Sequence, residues 1–338
     1  MKARDVLRRG LSAAAAAMFF APVAMMATPA AAEKMVVRIS TPAVPGDWHA
    51  EQLGIFKDYV ERSLPGQFDV QIFMNATLFQ QGTEPAQMMR GNLDMAMISA
   101  QDIAKQLPQY SIFTAGYLIR DPEHQQAVFY GDVGKEYFKA VSEKMEVTIL
   151  AVAYLGTRQL NLRDVRNVKT PADLKGVKLR MPGSKEWLFL GEALGANPAP
   201  VAFNEIYLAL KTGTIDGQDN PLPTDQKAKF YEVSKQIVLT NHLVDGVFLA
   251  IANKTWSKFN DEQKQVFTEA SRIAAAFNNN NRIRDEAKLV DFFKSQGMTI
   301  TVPDRDAFRT HVQKMYLDSE FSKAWPAGLL DRVNAVGK

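Results

Sequence analysis

Val177-Lys-Leu-Arg-Met-Pro-Gly-Ser184 runs into Lys185-Glu-Trp-Leu-Phe-Leu-Gly-Glu-Ala-Leu194, and this pair decides how the chain is read. A short apolar run delivers Arg180 into a Pro182-Gly183 turn, which opens a helix. Pro200-Val-Ala-Phe203 hands Phe203 to a second helix, which stops at Gly213. Thr214-Ile-Asp-Gly-Gln-Asp-Asn-Pro221 then makes a third turn, presenting Gln218, Asp219 and Asn220. Three strand–helix junctions with polar tips in one short stretch describe the lip of a ligand cleft in an α/β fold. Arg180 is its anchor.

Outward from this core, the N-terminus has another character. Lys2, Arg4, Arg8 and Arg9 precede an Ala- and Met-rich apolar run over residues 11–26, and Ala30-Ala-Ala32 is a small-residue cleavage site before Glu33. Residues 1–32 are expected to be a secretory signal peptide, which places the rest in the periplasm. Arg8-Arg9-Gly-Leu11 resembles a twin-arginine signal, without the usual Ser and Phe around it. No later apolar run reaches the ~18–20 residues that span a bilayer. Without Lys2, Arg4, Arg8, Arg9 and Asp5, the 40 basic and 37 acidic residues become 36 of each, and the formal charge of +3 falls to zero. Charge therefore offers no argument for a nucleic acid or an anionic membrane as partner. The chain has no cysteine, and its four histidines (His49, His124, His242, His311) are far apart, which argues against a zinc site. A chain of 338 residues buries a core without disulfides, and its length suggests two domains.

From Met35 onward, helices alternate with strands. Strands are expected at 35–40, 68–74 and 94–99, with a helix capped by Asp47 running to Ser63 and another over 84–90. A helix near 122–143 follows, then strands at 147–154 and 157–163 and a single helical turn at 170–176. Strands are also read at 235–240, 244–252 and 298–302, and a last helix at 304–317. Met88-Met-Arg-Gly91-Asn-Leu-Asp94 and Ala209-Leu-Lys-Thr-Gly213-Thr-Ile-Asp216 share the order helix, Gly, apolar, Asp. Either glycine is a common helix stop, or two similar α/β domains each contain this unit. Residues 261–295 form one long helical pattern, ~50 Å at 1.5 Å per residue, interrupted only by the poor helix formers Asn278–Asn281. A helix that long would cross both domains.

Catalysis finds no motif: there is no nucleophile elbow, dinucleotide fingerprint, phosphate loop or metal-ligand pair. No enzymatic activity, cofactor or metal is expected. Arg180 alone could be a surface ion pair. Flanked by Leu179 and Met181 and fixed by the turn after it, it points instead into a cleft, where its planar fork matches a carboxylate. Arg158, in Gly156-Thr-Arg-Gln, is a second such residue. Trp48, Trp187, Phe203 and Tyr154 could form an apolar wall or simply pack in the core.

These residues carry a family resemblance. Tyr154-Leu-Gly-Thr-Arg-Gln159, Asp173-Leu-Lys-Gly-Val-Lys-Leu-Arg-Met-Pro182, Leu194-Gly-Ala-Asn-Pro-Ala-Pro200, Glu205-Ile-Tyr-Leu-Ala-Leu-Lys-Thr-Gly213 and Asp216-Gly-Gln-Asp-Asn-Pro221 resemble the DctP-type solute-binding proteins of TRAP transporters. The resemblance implies a two-lobed periplasmic-binding-protein (Venus flytrap) α/β fold with mixed sheets and a long helix spanning both lobes. By analogy the lobes comprise 33–155 with 246–285, and 156–245 with 286–338. It implies that Arg180 grips a substrate carboxylate, with Arg158 a second contact, Asn220 orienting it and Phe203 packing on the ligand. Arg158, Asp219 and His242 would form a supporting network, although some relatives carry Glu where Asp219 stands. Trp187, Trp48, His49, Glu84 and residues 99–101, including Ser99 and Gln101, are further contacts expected from their places at element junctions. The implied partners are a small organic acid and the integral-membrane permease subunits, with the protein itself a monomer. A C4-dicarboxylate is expected, with aromatic or sugar acids as alternatives. A sensory binding protein serving a receptor kinase is the competing class.

Overall fold

The computed structural model describes residues 33–337, so the expected signal peptide lies outside the described residues. The chain begins Met35–Ser40 (β1), Trp48–Ser63 (α1), Phe68–Phe73 (β2), Glu84–Arg90 (α2), Met95–Ser99 (β3), Ala100–Ala104 (α3). It continues Pro122–Tyr130 (α4), Asp132–Met145 (α5), Val147–Leu162 (β4), Lys178–Met181 (β5), Lys185–Ala193 (α6), Asn197–Pro200 (β6), Ile206–Thr212 (α7), Gly217–Pro221 (β7) and Leu222–Lys227 (α8). Gln236–Ala252 (β8), Asn253–Trp256 (α9), Asp261–Ser295 (α10), Thr299–Thr301 (β9), Arg305–Leu317 (α11), Glu320–Ala324 (α12) and Leu329–Ala335 (α13) complete it.

The strands form one mixed sheet in the order β2-β1-β3-β8-β4-β7-β5-β6, with β9 beside β8. Its two ends repeat each other. In each, the first strand lies between the second and third in parallel, and the third meets a long strand in antiparallel register. The similar units found in the sequence sit at matching places: Gly91 and Gly213 both end their helices in left-handed conformation. Asp94 then accepts the Arg38 N–H at 3.0 Å, and Asp216 the Lys178 N–H at 2.9 Å. Side chains alternate across the sheet. Met97, Ala151 and Leu249 pack with Phe56 of α1 and Phe267 of α10, whereas Ile98, Val152 and Phe248 pack with Phe129 and Tyr137 of α4 and α5.

Four expectations change. The helix near 122–143 is two helices meeting at Gly131, and a Cβ on Gly134 would lie 1.9 Å from the Phe129 carbonyl oxygen, a close approach that requires glycine. The strands at 147–154 and 157–163 are one strand, β4, and those at 235–240 and 244–252 are one strand, β8; both carry irregular register between them. Gln218, Asp219 and Asn220 lie in β7 rather than in a turn. The asparagines of α10 do not interrupt it.

Those asparagines answer a backbone requirement. The register shift between Tyr154 and Gly156 leaves peptide groups without ladder partners, and such groups must be satisfied when buried. Asn278 donates to the Tyr154 carbonyl at 2.8 Å, and Asn279 accepts the Tyr154 N–H at 2.7 Å. Arg282 donates through Nε to the Leu155 carbonyl at 2.6 Å, and Glu286 accepts the Thr157 N–H at 2.7 Å. Spacings of three and four residues put this polar stripe on one helix face. Gly156, at φ +129°, permits the close contact, because a Cβ there would lie 2.4 Å from Pro221 Cβ and 2.6 Å from Glu286 Oε1. Arg282 also pairs with Asp47, which caps α1, and donates to Thr224 of α8 at 2.7 Å.

Removing Arg282 leaves the Asp47 carboxylate and the Leu155 carbonyl buried without their partner. Arg282→Ala is expected to lower unfolding free energy by ~3–5 kcal/mol, whereas the exposed Arg284→Ala shifts it by under ~0.5 kcal/mol. Urea denaturation at neutral pH compares the two.

Candidate functional site

A cavity of about 760 Å³, its open mouth included, lies between the two ends of the sheet. Asp47, His49, Gln81, Glu84, Ser99, Asp102 and Lys105 line it from the elements around β1–β3. Arg158, Ser184, Trp187, Phe203, Asn220 and Thr224 line it from β4 and the elements around β5–β7, and Asp245 from β8. Seven of the residues proposed from sequence therefore line one space: Arg158, Asn220, Phe203, Trp187, His49, Glu84 and Ser99.

Trp48 does not reach it. Its indole N–H donates to Asp285 at 2.5 Å and its ring meets Phe277 edge-on, so it packs α1 against α10. Its place at the start of a helix resembled a site position, but the helix turns that face away from the cavity. Tyr154 is likewise buried, bonded to Glu286 at 2.5 Å, and Gln101 is buried without lining the cavity.

Arg158 is held through Nε and Nη1. Nε donates to Asp245 at 2.7 Å, and Nη1 to the Asp219 carbonyl at 2.8 Å, to Asp219 Oδ2 at 3.2 Å and to Asn220 Oδ1 at 3.3 Å. The guanidinium also lies 4.3 Å over the Trp187 ring. His242 Nε2 meets Asp219 Oδ2 at 3.1 Å, while its Nδ1 meets the Thr240 hydroxyl at 2.8 Å. Arg158, Asp219 and His242 are thus in one network, and Asp245 joins it. Burial works against the charge on Asp219, but Arg158 and His242 outweigh it and hold this carboxyl below its usual range. Burial dominates at Asp245, where Arg158 offsets it only in part and the pKa rises.

Arg180 has a different environment. It is 1% exposed, and it does not line the cavity directly. Nε donates to the Val201 carbonyl at 2.7 Å, and Nη2 to Gln81 Oε1 at 2.8 Å. Gln81 lines the cavity and comes from the other end of the sheet, so this bond spans the cleft. Among the described residues no carboxylate lies within ion-pair distance of Arg180, and Nη1 makes no hydrogen bond. Burial pushes its pKa down to about 9, the Asp219 charge partly opposing and the Arg158 charge assisting. The group stays cationic at neutral pH, held where a cation is costly.

Three contributors carried little signal in sequence. Gln81 is one of several polar loop residues, and nothing marked it. Asp47 was legible only as a helix cap, although it also faces the cavity. Asp245 had a usable signal: a lone acid in the apolar run Val244–Ala252.

The family model described as "Bacterial extracellular solute-binding protein, family 7" (DctP) matches residues 39–323. The sialic acid-binding periplasmic protein SiaP of Vibrio cholerae is 31% identical over 269 residues, covering 80% of this chain and 83% of that protein. The 2,3-diketo-L-gulonate-binding periplasmic protein YiaO of Escherichia coli is 31% identical over 288 residues, covering 83% and 86%. Among solved structures, a TRAP periplasmic solute-binding protein of Roseobacter denitrificans with bound 3-deoxy-D-manno-oct-2-ulosonic acid (KDO) is 45% identical. Its TM-score is 0.87, over 90% of this chain and all of that one. Another from the same species, with bound L-galactonate, is 25% identical with TM-score 0.82, covering 90% of this chain and all of that one to within a residue in a hundred (99%). The fold and cleft are those of a periplasmic-type binding protein. The chain belongs to family 7 of the bacterial extracellular solute-binding proteins, as a TRAP solute-binding protein and not an enzyme.

His49, on the cavity wall, is sensitive to acid. Burial lowers the His49 pKa from 6.5 to about 4, with Asp47 opposing and Arg282 assisting. Between those pH values the unfolded chain binds a proton that the folded state refuses, so this contribution to stability is present above pH 6.5 and is lost as pH falls toward 4. The loss is on the order of 1.4 kcal/mol per pH unit across that window. Denaturation midpoints from pH 7 to 4 are expected to fall less steeply in His49→Gln than in the natural protein.

Proposed function

We propose that the protein captures an organic acid with a single carboxylate and delivers it to the membrane permease subunits of its transporter. The observation that carries this is Arg180: a buried guanidinium with a free Nη1 and no carboxylate in contact. A ligand carboxylate displacing Gln81 would supply the missing anion and accept two parallel charge-assisted bonds from the fork. Low local dielectric strengthens that pair once the cleft is closed. Asn220 and Phe203 flank the same space, one to orient the head group and one to pack on it.

Charge also limits the ligand. Arg158 is already balanced by Asp219 and Asp245, and Lys105 is occupied by Asp102 at 3.3 Å. One negative charge placed against Arg180 is accommodated, but a second finds no free cation on the cavity wall among the described residues. This favours a monocarboxylate over the C4-dicarboxylate expected from sequence. KDO, L-galactonate and 2,3-diketo-L-gulonate, bound by or named for three of the relatives, are sugar acids and support the same choice.

The lobes are taken as 33–155 with 246–285 and 156–245 with 286–338. Residues 155, 245 and 285 fall within β4, β8 and α10, the three elements shared by both ends of the sheet. A ligand touching both lobes favours the closed arrangement by its extra contacts there.

Arg180→Lys keeps the charge but loses the fork. Calorimetry with KDO and L-galactonate is expected to show affinity weakened by ~2 kcal/mol, about 30-fold, for whichever acid binds. Unchanged affinity would remove Arg180 from the site.

A further inference from the structure

Several buried side chains among the described residues have a polar atom with no hydrogen-bond partner, but of these only Glu84 and His49 line the cavity. Glu84, at the start of α2, is 2% exposed and leaves Oε1 unpartnered; His49, in the first turn of α1, is 6% exposed and leaves Nε2 unpartnered. Both belong to the end of the sheet built on β1–β3, whereas Arg180 belongs to the other. Buried polar groups are costly without partners, so two of them on a cavity wall mark where a ligand completes the bonding.

Their chemistry defines what the ligand must offer. Burial first, then the neighbouring Asp102 charge, raises Glu84 to about 8, while backbone N–H groups of residues 82–84 oppose the shift. At neutral pH this carboxyl is protonated and donates through O–H. His49 is a neutral imidazole, with one nitrogen donating and the other accepting. Neither can balance a second carboxylate, and a hydrocarbon tail would leave both unpaired. Hydroxyl groups, each a donor and an acceptor, satisfy both.

We propose that Glu84 and His49 read hydroxyl groups on the tail of the ligand and so select polyhydroxylated sugar acids over hydrocarbon-tailed or dicarboxylic ones. This rests on the carboxylate reading of Arg180, and it assigns groups that reach the same cavity from the other end of the sheet. A site that must hydrogen-bond a hydroxyl rejects analogues lacking it far more strongly than an apolar pocket rejects an extra methylene.

The test is calorimetry of the natural protein, Glu84→Gln and Glu84→Ala against KDO, L-galactonate and the hydroxyl-poor hexanoate, with melting temperatures confirming that each variant is folded. The natural protein is expected to bind at least one sugar acid and to bind hexanoate ~100-fold more weakly or not at all. Glu84→Gln keeps a donor and should hold sugar-acid affinity within ~3-fold, whereas Glu84→Ala should lose ~10-fold or more. The proposal is overturned if folded Glu84→Ala binds the sugar acid as tightly as the natural protein does. Hexanoate matching the sugar acids would also overturn it while leaving the carboxylate reading intact. If the natural protein binds none of the three acids, the carboxylate reading itself fails and this assignment falls with it.

Discussion

The structure depends on how one strand crosses from one end of the sheet to the other. β4 cannot keep regular pairing with β8 through Tyr154 and Gly156, and the peptide groups released there are buried. The polar stripe of α10, from Asn278 to Glu286, satisfies them. This fixes the helix to the crossing point, and through Arg282 it also fixes Asp47 and the start of α1. Arg158 lies two residues beyond Gly156 on the same strand, and His49 two residues beyond Asp47. The bulge therefore sets where both walls of the cavity stand.

Electrostatics then divides the two arginines. Arg158 is matched by Asp219 and Asp245 and held over Trp187, which makes it a rigid part of the wall. Arg180 is buried equally deeply, but among the described residues it donates only to neutral oxygens, those of Val201 and Gln81. A neutral amide solvates a guanidinium less well than a carboxylate does, so the contact from Gln81 can be exchanged for a ligand. Because Gln81 comes from the far end of the sheet, that exchange would alter a bond between the two ends, which is how head-group capture could bias the cleft between its states.

Much of the fold was legible because it is written in local periodicity. β1, α1 and α10 fall on the residues expected, down to the Asp47 cap and the Ser295 end. The paired glycine stops at 91 and 213 left an internal repeat as one of two readings, and the sheet order shows the two ends repeating each other. What failed did so for tertiary reasons. An irregular long strand looks in sequence like two short ones, so β4 and β8 were divided. A polar strand buried within the sheet, between β4 and β5, looks like a turn, so Gln218, Asp219 and Asn220 were misplaced. At the site, the residues carried by specific motifs were named, whereas Trp48 was drawn in by its position alone. Gln81 was not visible, because its contact with Arg180 spans 99 residues and no local pattern encodes it.

A crystal structure of the protein with KDO, or with L-galactonate should that bind instead, tests the central claim directly. The account predicts a ligand carboxylate oxygen within ~3 Å of the Arg180 guanidinium, with the Gln81 amide displaced from Nη2. A bound acid whose carboxylate lies elsewhere in the cavity, with the Arg180–Gln81 hydrogen bond intact, would contradict it.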